Sequence, residues 1–295
     1  MNKKFISWIL FSVLSIIWGS SFILMKIGME TLSVYQVASL RIVSAGLVLL
    51  PVTLRHIRSI PFNKIGIVFL SGILGSLLPS FLFCMAETKI DSALAGSLNA
   101  LTPIFAIIFG SMVFGLQVSS KKITGIVIAF AGSILLLLSK GLKDNSNIYY
   151  SLLIVLATMS YGINVNLVQK YLSNIGSLKI ASVGLSLCAI PALFVLIFTG
   201  YLNIVKNVAT IKGTIAASTL GIFGTAIANI IFYMLIKRSG VLFTSMVTYG
   251  IPVVAIFWGI LDGEDIGWNQ LTSLTIILAG VYIANRKGRV MAVAD

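Results

Sequence analysis

Long apolar stretches recur along the whole chain and restrict its fold more than any other feature. A run of about 18 or more apolar residues crosses the roughly 30 Å hydrocarbon core of a bilayer as a helix. Ten such runs are legible, at residues 5–27, 34–54, 64–85, 91–113, 121–139, 148–171, 176–199, 211–236, 240–260 and 267–285. The fifth and tenth are short, and no connection could hold a soluble domain. Charged residues make up only 10% of the 295, against about 25% in an ordinary soluble domain. The mean hydropathy is +1.05. The first run ends in Lys26 rather than a small-residue cleavage site and exceeds a signal-peptide core, so it reads as a retained helix.

The chain also repeats itself. Gly72-Ile-Leu-Gly75 recurs as Gly221-Ile-Phe-Gly224, and Phe83 and Met85 recur as Phe232 and Met234. Pro103, Ala106, Ile107 and Gly110 recur as Pro252, Ala255, Ile256 and Gly259, all at an offset of 149. Trp18-Gly19 corresponds more weakly to Tyr161-Gly162. The loop closing the repeat is basic in the first copy (Lys121, Lys122) and acidic in the second (Asp262, Glu264, Asp265). Five spans per half is an odd number, so the second half enters the membrane from the opposite face. Inverted repeats of this kind are typical of secondary transporters. The expected fold is therefore an all-α polytopic membrane protein, with ten transmembrane helices in two inverted five-helix repeats at residues 1–142 and 143–295.

The net charge of +13 is an orientation signal rather than a nucleic-acid footprint. With the N-terminus inside, fourteen Lys and Arg fall on the cytoplasmic side and six on the outer side. The positive-inside rule then places both termini in the cytoplasm, in the cytoplasmic (inner) membrane. The basic excess matches anionic lipid headgroups. Cys84 and Cys188 lie within apolar runs and imply neither a disulfide framework nor a metal site.

The fourth run of each half carries a stripe of small, weakly polar and proline residues. Ser92, Gly96, Asn99, Pro103, Ala106 and Gly110 share their spacing with Val241, Ser245, Thr248, Pro252, Ala255 and Gly259. Each proline frees the carbonyl one turn earlier, that of Asn99 or Thr248. Pro103 and Pro252 are expected as bend points. Trp18, Asn99, Tyr161, Asn164, Asn229, Tyr233 and Thr248 are expected to line a cavity, because polar groups in membrane helices face the bundle interior or water. Packing alone is the competing explanation for the small residues.

Two charged residues stand out. Arg41 lies inside the second run, where burial costs about 2.5–3.5 kcal/mol on insertion scales. It either snorkels to the outer interface or faces a water-filled cavity and attracts anionic groups. Glu87, at the outer end of the third run, is the titrating acid if transport is proton-coupled. Several chemistries are absent: there is no GxxxxGK[ST] phosphate loop, no HExxH motif and no Asp-rich diphosphate site. His56, the one histidine, sits in a basic cytoplasmic loop and forms no triad. No enzyme activity, cofactor or metal is expected.

These residues carry a resemblance. Trp18-Gly-Ser-Ser-Phe22, Arg41, the Ser92-to-Pro103 segment, Gly263-Glu264 and Ala279-Gly280 resemble the signature of EamA-like transporters in the drug/metabolite transporter superfamily. The likeness covers nearly the whole chain. It implies ten helices, cytoplasmic termini and a central cavity of alternating access, and relatives that export amino acids and other metabolites or carry nucleotide-sugars. One departure is Gly115-Leu116, where the family often has Gly-Glu. The expected function is a secondary transporter of small organic solutes (amino acids, related metabolites or drugs), working as a monomeric exporter in contact with membrane lipid and no nucleic acid. Proton coupling, facilitated diffusion and exchange stay open. A non-transporting scaffold or sensor subunit and a membrane-embedded enzyme are the alternatives.

Overall fold

The structure, a computed structural model, describes residues 3–115, 120–139, 145–261, 263 and 267–285. The acidic loop of Asp262, Glu264 and Asp265, the boundary residues Lys140 and Lys143, and Arg286, Lys287 and Arg289 lie outside the described residues. All regular structure among the described residues is helical.

The chain begins with α1 (Lys3–Gly19) and α2 (Ser21–Met29), separated only at Ser20. Helix α3 (Val34–His56) follows, with a capping box in which Ser33 and Gln36 exchange side-chain and backbone hydrogen bonds. Gln36 Nε2 also donates to the Thr199 carbonyl at 3.0 Å, tying this helix start to the end of a later one. Next come α4 (Phe62–Gly72), a π-helical stretch (Ile73–Leu77) and α5 (Leu78–Ala86). Then α6 (Ser92–Asn99) and α7 (Thr102–Met112) are interrupted at Ala100 and Leu101, just before Pro103. Helices α8 (Ser120–Ser139), α9 (Asn145–Tyr171) and α10 (Ser177–Phe198) are continuous.

A short α11 (Tyr201–Ile204) leads to α12 (Val208–Thr219), a second π-helical stretch (Leu220–Ile227) and α13 (Ala228–Ser245). Gly240 breaks α13 with a left-handed φ of 80° and ψ of 172°, a conformation that glycine adopts without a Cβ clash. Helices α14 (Val247–Leu261), which runs through Pro252, and α15 (Trp268–Asn285) complete the chain. Among the described residues six stretches are long and apolar enough to cross a membrane: Phe5–Met29, Val34–Ser59, Phe62–Ala86, Ile148–Tyr171, Ser177–Phe198 and Val208–Ser245.

The burial pattern is inverted relative to a soluble protein. Outward-facing residues such as Leu47, Phe130, Phe194 and Phe257 are large and apolar. Asn99, Asn164, Asn166, Asn229, Gln36 and Arg41 are buried. Lipid rewards this arrangement, because polar groups have partners only inside the bundle.

Packing comes in pairs that exchange the two halves of the chain. Helix α1 packs on α14, and α9 packs correspondingly on α7; α3 packs on α10, and α8 on α15. Glycines mark the closest approaches. A Cβ at Gly19 would collide with Val254, and one at Gly162 would stand 2.7 Å from the Ala106 nitrogen and the Phe105 carbonyl carbon. Gly19 and Gly162 thus hold repeat-related positions against repeat-related partners. Small residues let helix backbones approach in this way in lipid, where van der Waals packing drives association.

Gly162→Ala is expected to destabilise the protein by about 1–3 kcal/mol through overpacking against backbone. Gly66→Ala, with no atom within 4 Å of its Cβ, is the control and is expected to be neutral or stabilising. Thermal unfolding of both variants in detergent checks this; an unchanged midpoint for Gly162→Ala would contradict the close-packing account.

Candidate functional site

The two π-helical stretches occupy the same place in the repeat, on either side of the bundle centre. A π turn widens the helix and often marks a functional site. Side chains donate to carbonyls in both stretches. The Ser76 carbonyl accepts from Ser80 Oγ at 2.7 Å, and its repeat counterpart, the Thr225 carbonyl, accepts from Asn229 Nδ2 at 2.8 Å. Trp18 Nε1 donates to the Gly224 carbonyl at 3.0 Å.

Between these stretches lies a cavity of about 660 Å³, measured to include its open mouth. Its apolar wall consists of Trp18, Phe22, Met25, Phe83, Tyr161 and Phe232. Phe83 stacks near Tyr161 with centroids 6.2 Å apart, and Trp18 lies 5.1 Å from Phe232. The polar wall consists of Ser21, Asn99, Thr102, Asn164, Asn229 and Thr248. Gly75 and Gly224 contribute bare backbone, and Arg41 contributes the one charge among the described lining residues. None of these residues comes from α8, α10 or α15.

Hydrogen bonds sort the polar wall into groups already engaged and groups left open. Asn164 Oδ1 accepts from Ser71 Oγ at 2.7 Å, and Asn99 Oδ1 accepts from Thr102 Oγ1 at 3.2 Å. Thr248 Oγ1 donates back to the Ser245 carbonyl at 2.8 Å. Asn229 Nδ2 also donates to Ser76 Oγ at 3.1 Å, so its amide bridges the two π-helical stretches while its Oδ1 stays open. The Asn99 amide nitrogen and the Tyr161 hydroxyl likewise have no hydrogen bond among the described residues and are not sealed from the cavity. The wall therefore offers aromatic surface, neutral donors and a neutral acceptor: the pattern of a pocket that holds a small organic molecule.

Of the residues singled out from the sequence, Trp18, Asn99, Tyr161, Asn164, Asn229 and Thr248 come together on this lining. Tyr233 does not. It stands behind the wall, with its hydroxyl 3.2 Å from Ser71 Oγ, because its neighbour Phe232 takes the inward-facing position. Arg41 is 7% exposed and faces the cavity rather than snorkelling to an interface. Glu87 caps the C-terminus of α5 with both carboxylate oxygens enclosed, outside the lining. Pro103 sits in the first turn of α7, and Pro252 lies within α14, where the helix is interrupted earlier, at Met246. Among the described residues no group of His, Cys, Asp and Glu could hold a metal ion.

Sequence reasoning missed Ser21, Phe22, Met25, Thr102, Phe83 and Phe232 as lining residues. The last two were visible as a repeat pair, and that symmetry was the available signal. It also missed Ser71 and Ser76, which orient Asn164 and Asn229 from behind.

Comparison with known proteins identifies the family. The model of the EamA-like transporter family matches residues 6–138 and again residues 148–286. A protein of Archaeoglobus fulgidus, named an uncharacterized transporter, is 26% identical over 286 residues, covering 95% of this chain and 99% of that one. The Escherichia coli K12 protein named the uncharacterized inner membrane transporter YedA is 29% identical over 279 residues, covering 92% of this chain and 87% of its own. A solved crystal structure superposes with a TM-score of 0.65 at 15% identity, covering 95% of this chain and 96% of that one, which supports the fold alone. The two family matches span nearly the whole chain between them, and the protein belongs to the EamA-like transporter family.

Proposed function

We propose that this protein is a monomeric secondary transporter that exports small organic solutes across the cytoplasmic (inner) membrane by alternating access. The observation that carries the reading is the central cavity. It is lined from both halves of the chain, by aromatic surface with a few converging polar groups. In this reading ten helices cross the bilayer in two inverted repeats, residues 1–142 and 143–295, with both termini in the cytoplasm. The halves rock about the cavity so that it opens to one side at a time. The breaks before Pro103 and at Gly240 give the pathway helices places to bend. No cofactor takes part and no covalent chemistry is required.

The aromatic wall supplies apolar contact and cation–π capacity, and Asn99, Tyr161 and Asn229 supply neutral hydrogen bonds. Asn164, Thr248 and Trp18 shape the wall while engaged with the protein, and Tyr233 supports it from behind through Ser71. In a proton-coupled cycle Glu87 is the titrating acid, whereas facilitated diffusion or exchange needs none.

Three outcomes are expected. Cells overproducing the protein accumulate a solute in the medium, and Asn99→Ala with Asn229→Ala abolishes most of that accumulation; metabolite profiling at matched membrane expression checks it. Wild-type export by the double variant would remove the site assignment. Glu87→Gln, assayed in proteoliposomes, eliminates the response of flux to an imposed pH gradient while exchange persists; a retained response would exclude Glu87 as the coupling acid. A fluorescent protein fused after Asp295 is expected to fluoresce, since the cytoplasm permits its folding, whereas a dark fusion would reverse the orientation.

A further inference from the structure

Arg41 is the least economical residue in the bundle, and the repeat shows that packing does not require it. A Cβ at Gly72 would stand 2.7 Å from the Gly184 carbonyl oxygen, and one at Gly221 would collide with the Arg41 carbonyl oxygen. Gly72 and Gly221 are repeat partners, so Gly184 and Arg41 occupy equivalent places on α10 and α3. One half of the chain meets this position with no side chain at all. The other places a guanidinium there.

That guanidinium is positioned with care. Its Nε donates to Thr225 Oγ1 at 2.7 Å, and Thr225 Oγ1 in turn lies 3.5 Å from the Leu220 carbonyl within the π-helical stretch. Nη1 reaches only the soft sulfur of Met25, at 3.9 Å. Among the described residues no carboxylate lies within ion-pairing distance, and Nη2 makes no hydrogen bond to the protein while remaining accessible from the cavity. A buried cation without an anion is costly, and an ionisable residue kept at such depth marks a functional site. Thr225 also fixes Asn229, whose Nδ2 donates to its carbonyl at 2.8 Å. Asn229 and Arg41 thus share Thr225 as a partner, and both line the cavity.

Resting on the transport reading above, we propose that Arg41 is the anchor for a carboxylate of the transported solute, with Thr225 as its positioning residue and the aromatic wall receiving an apolar body. The planar fork suits a carboxylate, since two parallel N–H donors match its two oxygens. The charge on the described lining is single and positive, so a monoanion neutralises it and the carboxylate of a zwitterion pairs with it, whereas an amine with no acid group is repelled.

The test uses the full chain in lipid nanodiscs, with tryptophan fluorescence reporting binding of phenylacetate, phenylalanine and phenethylamine. Both carboxylates are expected to bind and phenethylamine is not. Arg41→Gln is expected to weaken both carboxylates at least about tenfold. Arg41→Lys, which keeps the charge and loses the fork, and Thr225→Val, which frees the fork, are expected to show smaller losses, and they carry the test if Arg41→Gln fails to fold. Tighter binding of phenylalanine than phenylacetate would assign Asn229 Oδ1 to an ammonium; equal binding would assign a simple organic anion, and both support the anchor. The proposal is overturned if phenethylamine binds as well as the acids, if wild type binds neither acid, or if the variants retain wild-type affinity. Export that depends on Asn99 and Asn229 but persists in Arg41→Gln would remove this proposal and leave the transport reading. Carboxylate binding without export of any solute would do the reverse.

Discussion

Side-chain hydrogen bonds to backbone carbonyls in the two π-helical turns are the interactions that orient the cavity wall. A helix carbonyl that accepts from its own amide keeps a second lone pair, so a side chain within reach can share it. In lipid no water competes for that lone pair, and donors must come from the protein. Ser80, Asn229 and Trp18 are those donors. Each is held in one orientation by the bond it makes. The lining is thus set by the backbone of the third helical segment in each half, and distant residues such as Trp18 are drawn to it across the bundle.

The same logic explains why glycine recurs at the crossings. Helices that carry polar side chains inward must still touch closely enough to exclude lipid from the polar interior. Gly19 against α14 and Gly162 against α7 bring backbones together without a side chain between them. Repeat-related placement of these contacts gives the two halves matching interfaces, and the cavity forms where those interfaces diverge around Gly75 and Gly224.

Much of this was legible in the chain and some was not. The offset of 149 paired Gly72 with Gly221 and Phe83 with Phe232, and those pairs occupy corresponding places in space. Helical stretches followed from hydropathy, and the inward side chains of Asn99, Asn164 and Asn229 followed from the cost of exposing amides to lipid. The π turns were not legible, because Gly-x-x-Gly within an apolar run fits a plain α-helix equally well. Phe232 and Tyr233 could not be told apart as lining residues for the same reason: the turn changes which face a residue presents. Pro252 read as the twin of Pro103, yet the interruption in its segment falls at Met246 and a non-helical kink at Gly240. Residue type marked a position able to bend, and the packing around α13 and α14 decided where the bend occurs.

Arg41 and Gly184 bear on how such a fold arises from a smaller unit. Two identical five-helix chains assembled about a two-fold axis would have to present either two guanidiniums to their shared chamber or none. Two would repel each other across a few ångströms of poorly hydrated space, and none would leave the chamber neutral. Joining the copies in one polypeptide frees each to mutate separately, so a single cation can be kept on one wall alone. Fusion of the duplicated halves is in this sense what makes an asymmetric cavity possible inside a symmetric scaffold.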